Sequence, residues 1–243
     1  MKIDEEACIG CRLCLPYCPM GAISMDRAAK VARIDEDECV ECGVCFRSDI
    51  CPVDAFIEEV HSWPRSVRAA FSNPLTVHKE TRVPGRGTEE AKTNDVTGQF
   101  RRGFVGVTAE MGRPGVGARF HDVEKVAQAL ARAGVVFAAN NPVTYIMTDQ
   151  ATGKLNSEIL NEKVCSCMIE SITPIENLST VIKELKEVAS QIDTVFSLTL
   201  STRLEPDGSA PCEKVLKELG VPVYINGKTN VGLGRPLFEE VPS

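Results

Sequence analysis

The sequence predicts an α+β protein in two parts, a small cysteine-built N-terminal domain and a larger C-terminal sandwich of the split βαβ type. Three observations carry this. Eight of the 11 cysteines fall within the first sixty of 243 residues, in two copies of one pattern. From residue 103 onward the apolar spacing alternates between strand and helix periods. Between the two parts lies a polar stretch broken by glycine and proline. The expected division is 1–60, 61–102 and 103–243.

The first cysteine run is Cys8-x2-Cys11-x2-Cys14-x3-Cys18-Pro19, and the second is Cys39-x2-Cys42-x2-Cys45-x5-Cys51-Pro52. A lone Cys-x2-Cys could be a zinc knuckle or a redox pair, but two complete four-cysteine runs, each closed by Cys-Pro, make an iron-sulfur pattern. In that pattern the fourth cysteine of each run ligates the other cluster. Cys8, Cys11, Cys14 and Cys51 are therefore expected on one 4Fe-4S cluster, and Cys39, Cys42, Cys45 and Cys18 on a second. Three cysteines two residues apart let one tight loop aim three thiolates at a cubane. The proline after the fourth turns the chain away. Gly10, in the position of Glu41, and Gly43 sit between ligands, where unusual φ and a close backbone approach are needed. Zinc at these cysteines is the alternative reading.

ACIGCRLCLPYCPMGAI and ECVECGVCFRSDICPVDAF resemble the two halves of a bacterial two-cluster ferredoxin over roughly residues 3 to 60. The second run departs by two extra residues before Cys51, a bulge at Arg47, Ser48 and Asp49. Ile3 and Ile34 precede the runs at equal distance, and Ile23 and Phe56 follow them at equal distance. The repeat implies a pseudo-twofold domain around two clusters, with a hairpin-like connection over Met25–Asp35. Such a domain would be poorly folded without its clusters.

Charge is uneven. Residues 1–60 hold 13 acidic against 6 basic side chains, and the rest of the chain balances. An acidic cluster domain steers toward a basic patch on a redox partner. The charged start MKIDEEACIGC has no apolar leader core, and no stretch is long and apolar enough to span a bilayer. A cytoplasmic protein of anaerobic metabolism is expected, with no nucleic-acid binding.

Residues 61–102 carry Arg65, Arg68, Arg82, Arg86, Arg101 and Arg102 and read as a basic linker or lid. In the second domain, a strand at Phe104–Ala109 leads to a turn-rich segment and a helix from Asp122, with Val123, Val126, Ala127, Leu130 and Ala131 on one face and Gly134 as its stop. Strands are expected near 135–138, 144–148 and 164–172. Thr173, Pro174 and Glu176 read as the N-cap, first-turn proline and capping-box partner of a second helix, whose apolar face is Leu178, Val181, Ile182, Leu185, Val188 and Ala189. Thr194–Ser201 alternates as a strand. A helix at 212–219 and a strand at 221–225 close the domain. The order strand, helix, strand, strand, helix, strand is the split βαβ arrangement. A homodimer through this domain is one expectation.

GRPGVG (112–117) stands where a phosphate-cradling loop would, with Arg113 and Arg119 at hand, and NGKTNVGLGRP (226–236) adds Lys228 and Arg235; a tight connection is the competing reading. Cys165 and Cys167 are expected on one strand face, as small apolar residues or, with Cys212, as further thiolate ligands. His61, His78 and His121 have no ligand spacing. The segments GRGTEEAKTNDVTG, EMGRPGVGARFHDVEKV and NGKTNVGLGRP are similar to 6-hydroxynicotinate reductases, a resemblance that implies a flavin, here expected on a separate partner chain. The leading expectation is an electron-transfer subunit that exchanges single electrons with a flavoprotein or reductase. A substrate-binding reductase and an effector-binding redox sensor are the alternatives.

Overall fold

The computed structural model describes residues 1–77, 100–113 and 115–223. Its N-terminal part is built from two short antiparallel ladders. β1 (Lys2–Ile3) pairs with β4 (Phe56–Ile57), and β2 (Ile23–Asp26) pairs with β3 (Val31–Ile34). Ile3 lies opposite Phe56 and Ile23 opposite Ile34, so the strand before each cysteine run pairs with the strand after the other run. That crossing is the repeat seen in the sequence, folded about a pseudo-twofold. The bulge residues end α1 (Val44–Arg47), and Asp49 turns the chain with a positive φ of 52°.

α2 (Ser66–Ser72) follows, and it is more than linker. Val67 and Phe71 are buried with the second domain's core, and Phe71 meets Phe120 edge-on with ring centroids 5.3 Å apart. The expected lid over residues 79–99 lies outside the described residues.

The second domain is one four-stranded sheet with two long helices on one face. Its strands are β5 (Phe104–Met111), β7 (Val136–Phe137), β11 (Cys167–Pro174) and β12 (Phe196–Ser201), in the order β12-β5-β11-β7 with every neighbour antiparallel. Alternation decides the faces. Val105, Val107, Ala109 and Met111 on β5 are fully buried beneath the helices, while Gly106, Thr108 and Glu110 face the other way. α3 (Phe120–Arg132) turns Val123, Val126, Ala127 and Leu130 onto the sheet. It ends in a Schellman motif, with Gly134 N–H donating to Ala131 O at 2.9 Å and Val135 N–H to Leu130 O at 3.4 Å. α5 (Leu178–Ala189) packs beside it through Val181, Ile182 and Leu185. α6 (Pro211–Glu218) covers the end of α5.

Three local expectations are corrected. The Thr173–Pro174–Glu176 cap does not form, because β11 continues through Pro174, which faces Phe104 at the strand's end where a missing N–H costs little. Residues 144–148 are not one strand. Asn141 caps α4 (Pro142–Tyr145) by accepting from Val143 and Thr144 N–H, and only then does β8 (Met147–Asp149) run, paired with β9 (Lys154–Leu155). The expected strand over 164–172 divides in two. β10 (Lys163–Val164) pairs with β6 (Ala118–Arg119), and β11 begins at Cys167. Residues 221–223 carry no strand, and the remainder of that expected element lies outside the described residues.

Candidate functional site

The eight N-terminal cysteines surround two cavities, four to each. Cys8, Cys11, Cys14 and Cys51 line the first with Ile3, Leu13 and Phe56, and the empty space within it is about 360 Å³. Cys18, Cys39, Cys42 and Cys45 line the second with Met20, Ile23 and Ile34, again about 360 Å³. The loops reach this geometry through the same left-handed residues in each run. Gly10 (φ 67°) and Glu41 (φ 54°) occupy one position, and Arg12 (φ 69°) and Gly43 (φ 68°) the other. Arg12 and Glu41 accept a conformation that costs a side-chain-bearing residue about 1–2 kcal/mol. Gly10 is the more constrained of the glycines, since a Cβ there would sit 2.2 Å from Lys30 O.

Backbone N–H groups aim at sulfur in both halves. Ala22 N–H donates to Cys18 Sγ at 3.2 Å and Ala55 N–H to Cys51 Sγ at 3.3 Å, while Ala32 N–H reaches Cys8 Sγ at 3.4 Å. Such bonds favour negative charge on the sulfur. Burial works the other way. It raises the Cys14 and Cys39 thiols and pushes Cys45 up to about 12; neighbouring thiols add to the shift at Cys14 and Cys45, and the Glu41 carboxylate adds to it at Cys39. Cys42 is raised chiefly by a contact with Cys165 and then by burial. Among the described residues no three His, Cys, Asp or Glu side chains converge tightly enough for a single metal ion. Four thiols spread around an apolar cavity suit a cubane instead, which takes one thiolate per iron.

The two cavities differ in their surroundings. Around the first, Cys11 is exposed, as are Ile9 (64%) and Leu13 (48%). The second lies against the C-terminal domain. Arg68 of α2, only 3% exposed, donates to the carbonyls of Glu36 (2.9 Å), Asp37 (2.9 Å) and Cys39 (2.7 Å) and ion-pairs with Glu162. Arg119 pairs with Asp37 at 2.7 Å and Glu38 at 2.8 Å, and Lys163 also pairs with Glu38. Arg65 binds Glu41 at 2.6 Å, and Glu41 also meets the Met1 amine at 2.8 Å. Burial alone would raise the Glu41 carboxyl, but the Met1 amine and Arg65 hold it below its ordinary value. Part of the acidity of the cluster domain is thus matched within the chain.

Among the described residues of the expected anion loop, the N–H groups turn inward. Val116 and Gly117 N–H both turn back to Gly112 O, and the first N–H groups of α3, from Phe120 and His121, are taken by Glu162 O and Leu160 O. Arg113 faces Glu110 and Ser166, and Arg119 faces carboxylates; Lys228 and Arg235 lie outside the described residues. Cys165 and Cys167 do not share a strand face. Cys167 is buried in the sheet core and Cys212 is buried in the first turn of α6, while Cys165 N–H donates to Ser72 Oγ at 2.9 Å. His61 lies 3.2 Å from Glu41 and His121 3.1 Å from Asp122, while His78 lies outside the described residues. Arg68 belongs to the stretch expected as a basic linker or lid, while Glu162 and Lys163 carry no signal for this site in the sequence. The apolar triplet Val67, Ala70 and Phe71 was the available signal for a packed helix carrying Arg68.

Residues 1–58 match the family model described as the 4Fe-4S dicluster domain. Two curated proteins, both named indolepyruvate oxidoreductase subunit IorA, are similar over 55 residues. The one from Pyrococcus horikoshii is 38% identical and the one from Pyrococcus abyssi 36%, over 23% of this chain and 8% of each relative. The chain therefore spans less than a tenth of the length of these relatives. No solved structure matches. The N-terminal part is a 4Fe-4S dicluster domain, and no helix among the described residues is long and apolar enough to cross a membrane.

Proposed function

We propose that this chain is an electron-transfer subunit that passes single electrons through two 4Fe-4S clusters to or from a separate oxidoreductase component. Cys8, Cys11, Cys14 and Cys51 hold the first cluster; Cys18, Cys39, Cys42 and Cys45 hold the second. The observation that carries this reading is the pair of apolar cavities, each lined by four thiols contributed by both runs. Once bound, each cluster supplies a one-electron store. The chain's own residues do the rest. Ala22, Ala32 and Ala55 N–H groups stabilise ligand sulfur, and Ile23, Ile34 and Phe56 exclude water from the cavity walls.

The partner meets the first cavity. Cys11, Ile9 and Leu13 form an exposed rim there with Arg12 among them and exposed Glu6 and Asp54 close in the chain, whereas the loop that carries the second cavity is ion-paired to the chain's own C-terminal domain through Arg119 and Lys163. The net acidity of the surrounding domain, 13 acidic against 6 basic side chains over residues 1–60, steers a basic docking face, and a flavoprotein or reductase subunit is the class of partner expected. The C-terminal domain is read as a split βαβ sandwich from its β12-β5-β11-β7 order, and it acts as a fixed support for the second cluster. That Arg113 and Arg119 both face carboxylates is what ranks this reading above a reductase that binds an anionic substrate.

Anaerobic reduction with dithionite, followed by mixing with an oxidised flavoprotein, tests the proposal. Reoxidation of both clusters through the partner, lost when Ile9 and Leu13 are changed to Glu, supports it. Clusters that reoxidise only on adding a small-molecule substrate would replace it with the reductase reading.

A further inference from the structure

The second cysteine run is longer than the first by two residues before its last cysteine, and the added length closes one α-helical turn, α1. Arg47 N–H donates to Gly43 O at 3.0 Å and Ser48 N–H to Val44 O at 2.9 Å, so residue 47 stands four positions on, over Gly43. In the first run the equivalent position is Pro16, within a 3-10 turn over Leu15–Tyr17 that stops at Cys18. The added turn acts on the ligand loop. Arg47 Nη2 donates to Cys42 O at 2.7 Å, and Ser48 Oγ donates to Cys45 O at 2.8 Å. Arg47 Nη1 donates to Asn73 Oδ1, just beyond α2, at 3.0 Å. Cys42 and Gly43 line the second cavity, and a Cβ on Gly43 would collide with Arg47 Nη1, so the guanidinium is packed against that wall.

The Arg47 charge has no carboxylate partner among the described residues, since both of its side-chain bonds go to neutral oxygens. The other cations around this loop are matched: Arg65 pairs with Glu41, Arg68 with Glu162, and Arg119 and Lys163 with Glu38. Arg12, the arginine of the first run, is exposed and holds no ligand carbonyl among the described residues. Resting on the two-cluster reading above, we propose that Arg47 is a positioning residue for the second cluster, which holds the Cys42 carbonyl and raises that cluster's reduction potential with a positive charge that no carboxylate cancels. The direction follows from electrostatics. Reduction adds one electron, and so one negative charge, to a cluster already ligated by four thiolates. A fixed positive charge at the cavity wall favours that form over the oxidised one. Because Arg47 is exposed, salt screens part of the effect.

The test uses the full chain prepared anaerobically, with iron counted before each redox titration followed by electron paramagnetic resonance. Arg47→Gln is expected to keep the full iron complement and lower one midpoint only. At a fixed potential the reduced-to-oxidised ratio of that cluster should fall about threefold, a shift of ~28 mV at ~59 mV per tenfold for a one-electron couple. Arg47→Lys keeps the charge and should hold that midpoint closer to the wild type than to Arg47→Gln. The gap between the wild type and Arg47→Gln should narrow as salt is raised from about 0.01 M to about 1 M, over which the screening length falls about tenfold. A gap that salt does not move would overturn the proposal, because a merely structural role predicts it. Two unmoved midpoints with full iron, an equal fall in both, or Arg47→Lys as low as Arg47→Gln would overturn it too. Loss of half the iron in Arg47→Gln would do the same, by making Arg47 a brace without which the second site does not load. If the wild type itself lacks about eight irons, the two-cluster reading fails first, and the iron count alone shows it.

Discussion

Replacing Arg68 with Met keeps most of the side-chain volume and removes the guanidinium at the seam between the cluster domain and the C-terminal domain. Arg68 is 3% exposed and serves three carbonyls of the second loop, those of Glu36, Asp37 and Cys39, along with the Glu162 carboxylate. Removing one partner of a buried ion pair costs about 3–5 kcal/mol, because the other charge stays behind without its counterion. The carbonyl bonds lie on the same group, so they belong within that figure and are not added to it. Against a typical stability of about 5–15 kcal/mol this is a large fraction. The damage should be local. Cys39 O is bound directly, so iron held by the second loop should be released to a chelator faster than iron held by the first. The assay is chemical denaturation of the anaerobic protein together with a chelator time course, which should become biphasic with half the iron in each phase. Adding Glu162→Gln should recover about 1–3 kcal/mol, because it removes the stranded carboxylate. A cost below about 1 kcal/mol, or equal acceleration of both halves of the iron, would refute this account of the seam.

Gly10→Ala places a Cβ 2.2 Å from Lys30 O at a φ of 67°, so iron analysis should show loss from the first site while the second keeps its own; full iron with unchanged midpoints would contradict it. The seam also responds to acid. Arg119 hydrogen-bonds Asp37 and holds its carboxyl below the ordinary value, so this contribution is complete above about pH 4 and is lost as pH falls through the lower folded value. The single tryptophan, Trp63, donates to Glu158 at 2.7 Å and reports the opening through its fluorescence, and Arg119→Ala should weaken the acid transition. Neutralising Glu6 and Asp54 should slow reduction of a basic partner and flatten its dependence on salt, as measured by stopped flow; an unchanged salt slope would move the docking face elsewhere.

The cluster site was legible because its information is local. Cys8 to Cys18 and Cys39 to Cys51 announce their chemistry by spacing, and the equal offsets of Ile3, Ile34, Ile23 and Phe56 announce the strands that pair across the repeat. The long helices were legible for the same reason, since the apolar faces at 123–130 and 178–189 repeat with the helical period. Where competing local signals meet, the tertiary setting decides between them. Pro174 looks like a helix start but tolerates a strand end, and Asn141–Pro142 is a capped first turn hidden before two β-branched residues. What sequence could not carry was long-range. Nothing near Arg68 marks it as the partner of Glu162, 94 residues away, and the i, i+2 spacing of Cys165 and Cys167 suggests a shared face that the break before β11 abolishes.

The central claim is most directly tested by iron and acid-labile sulfide analysis of anaerobically purified protein, joined to a reductive titration. About eight irons and eight sulfides per chain, taking up two electrons in one-electron steps, is the result expected for two cubanes. One or two metal ions per chain, zinc, or sulfide well below iron would contradict it and return the eight cysteines to another chemistry.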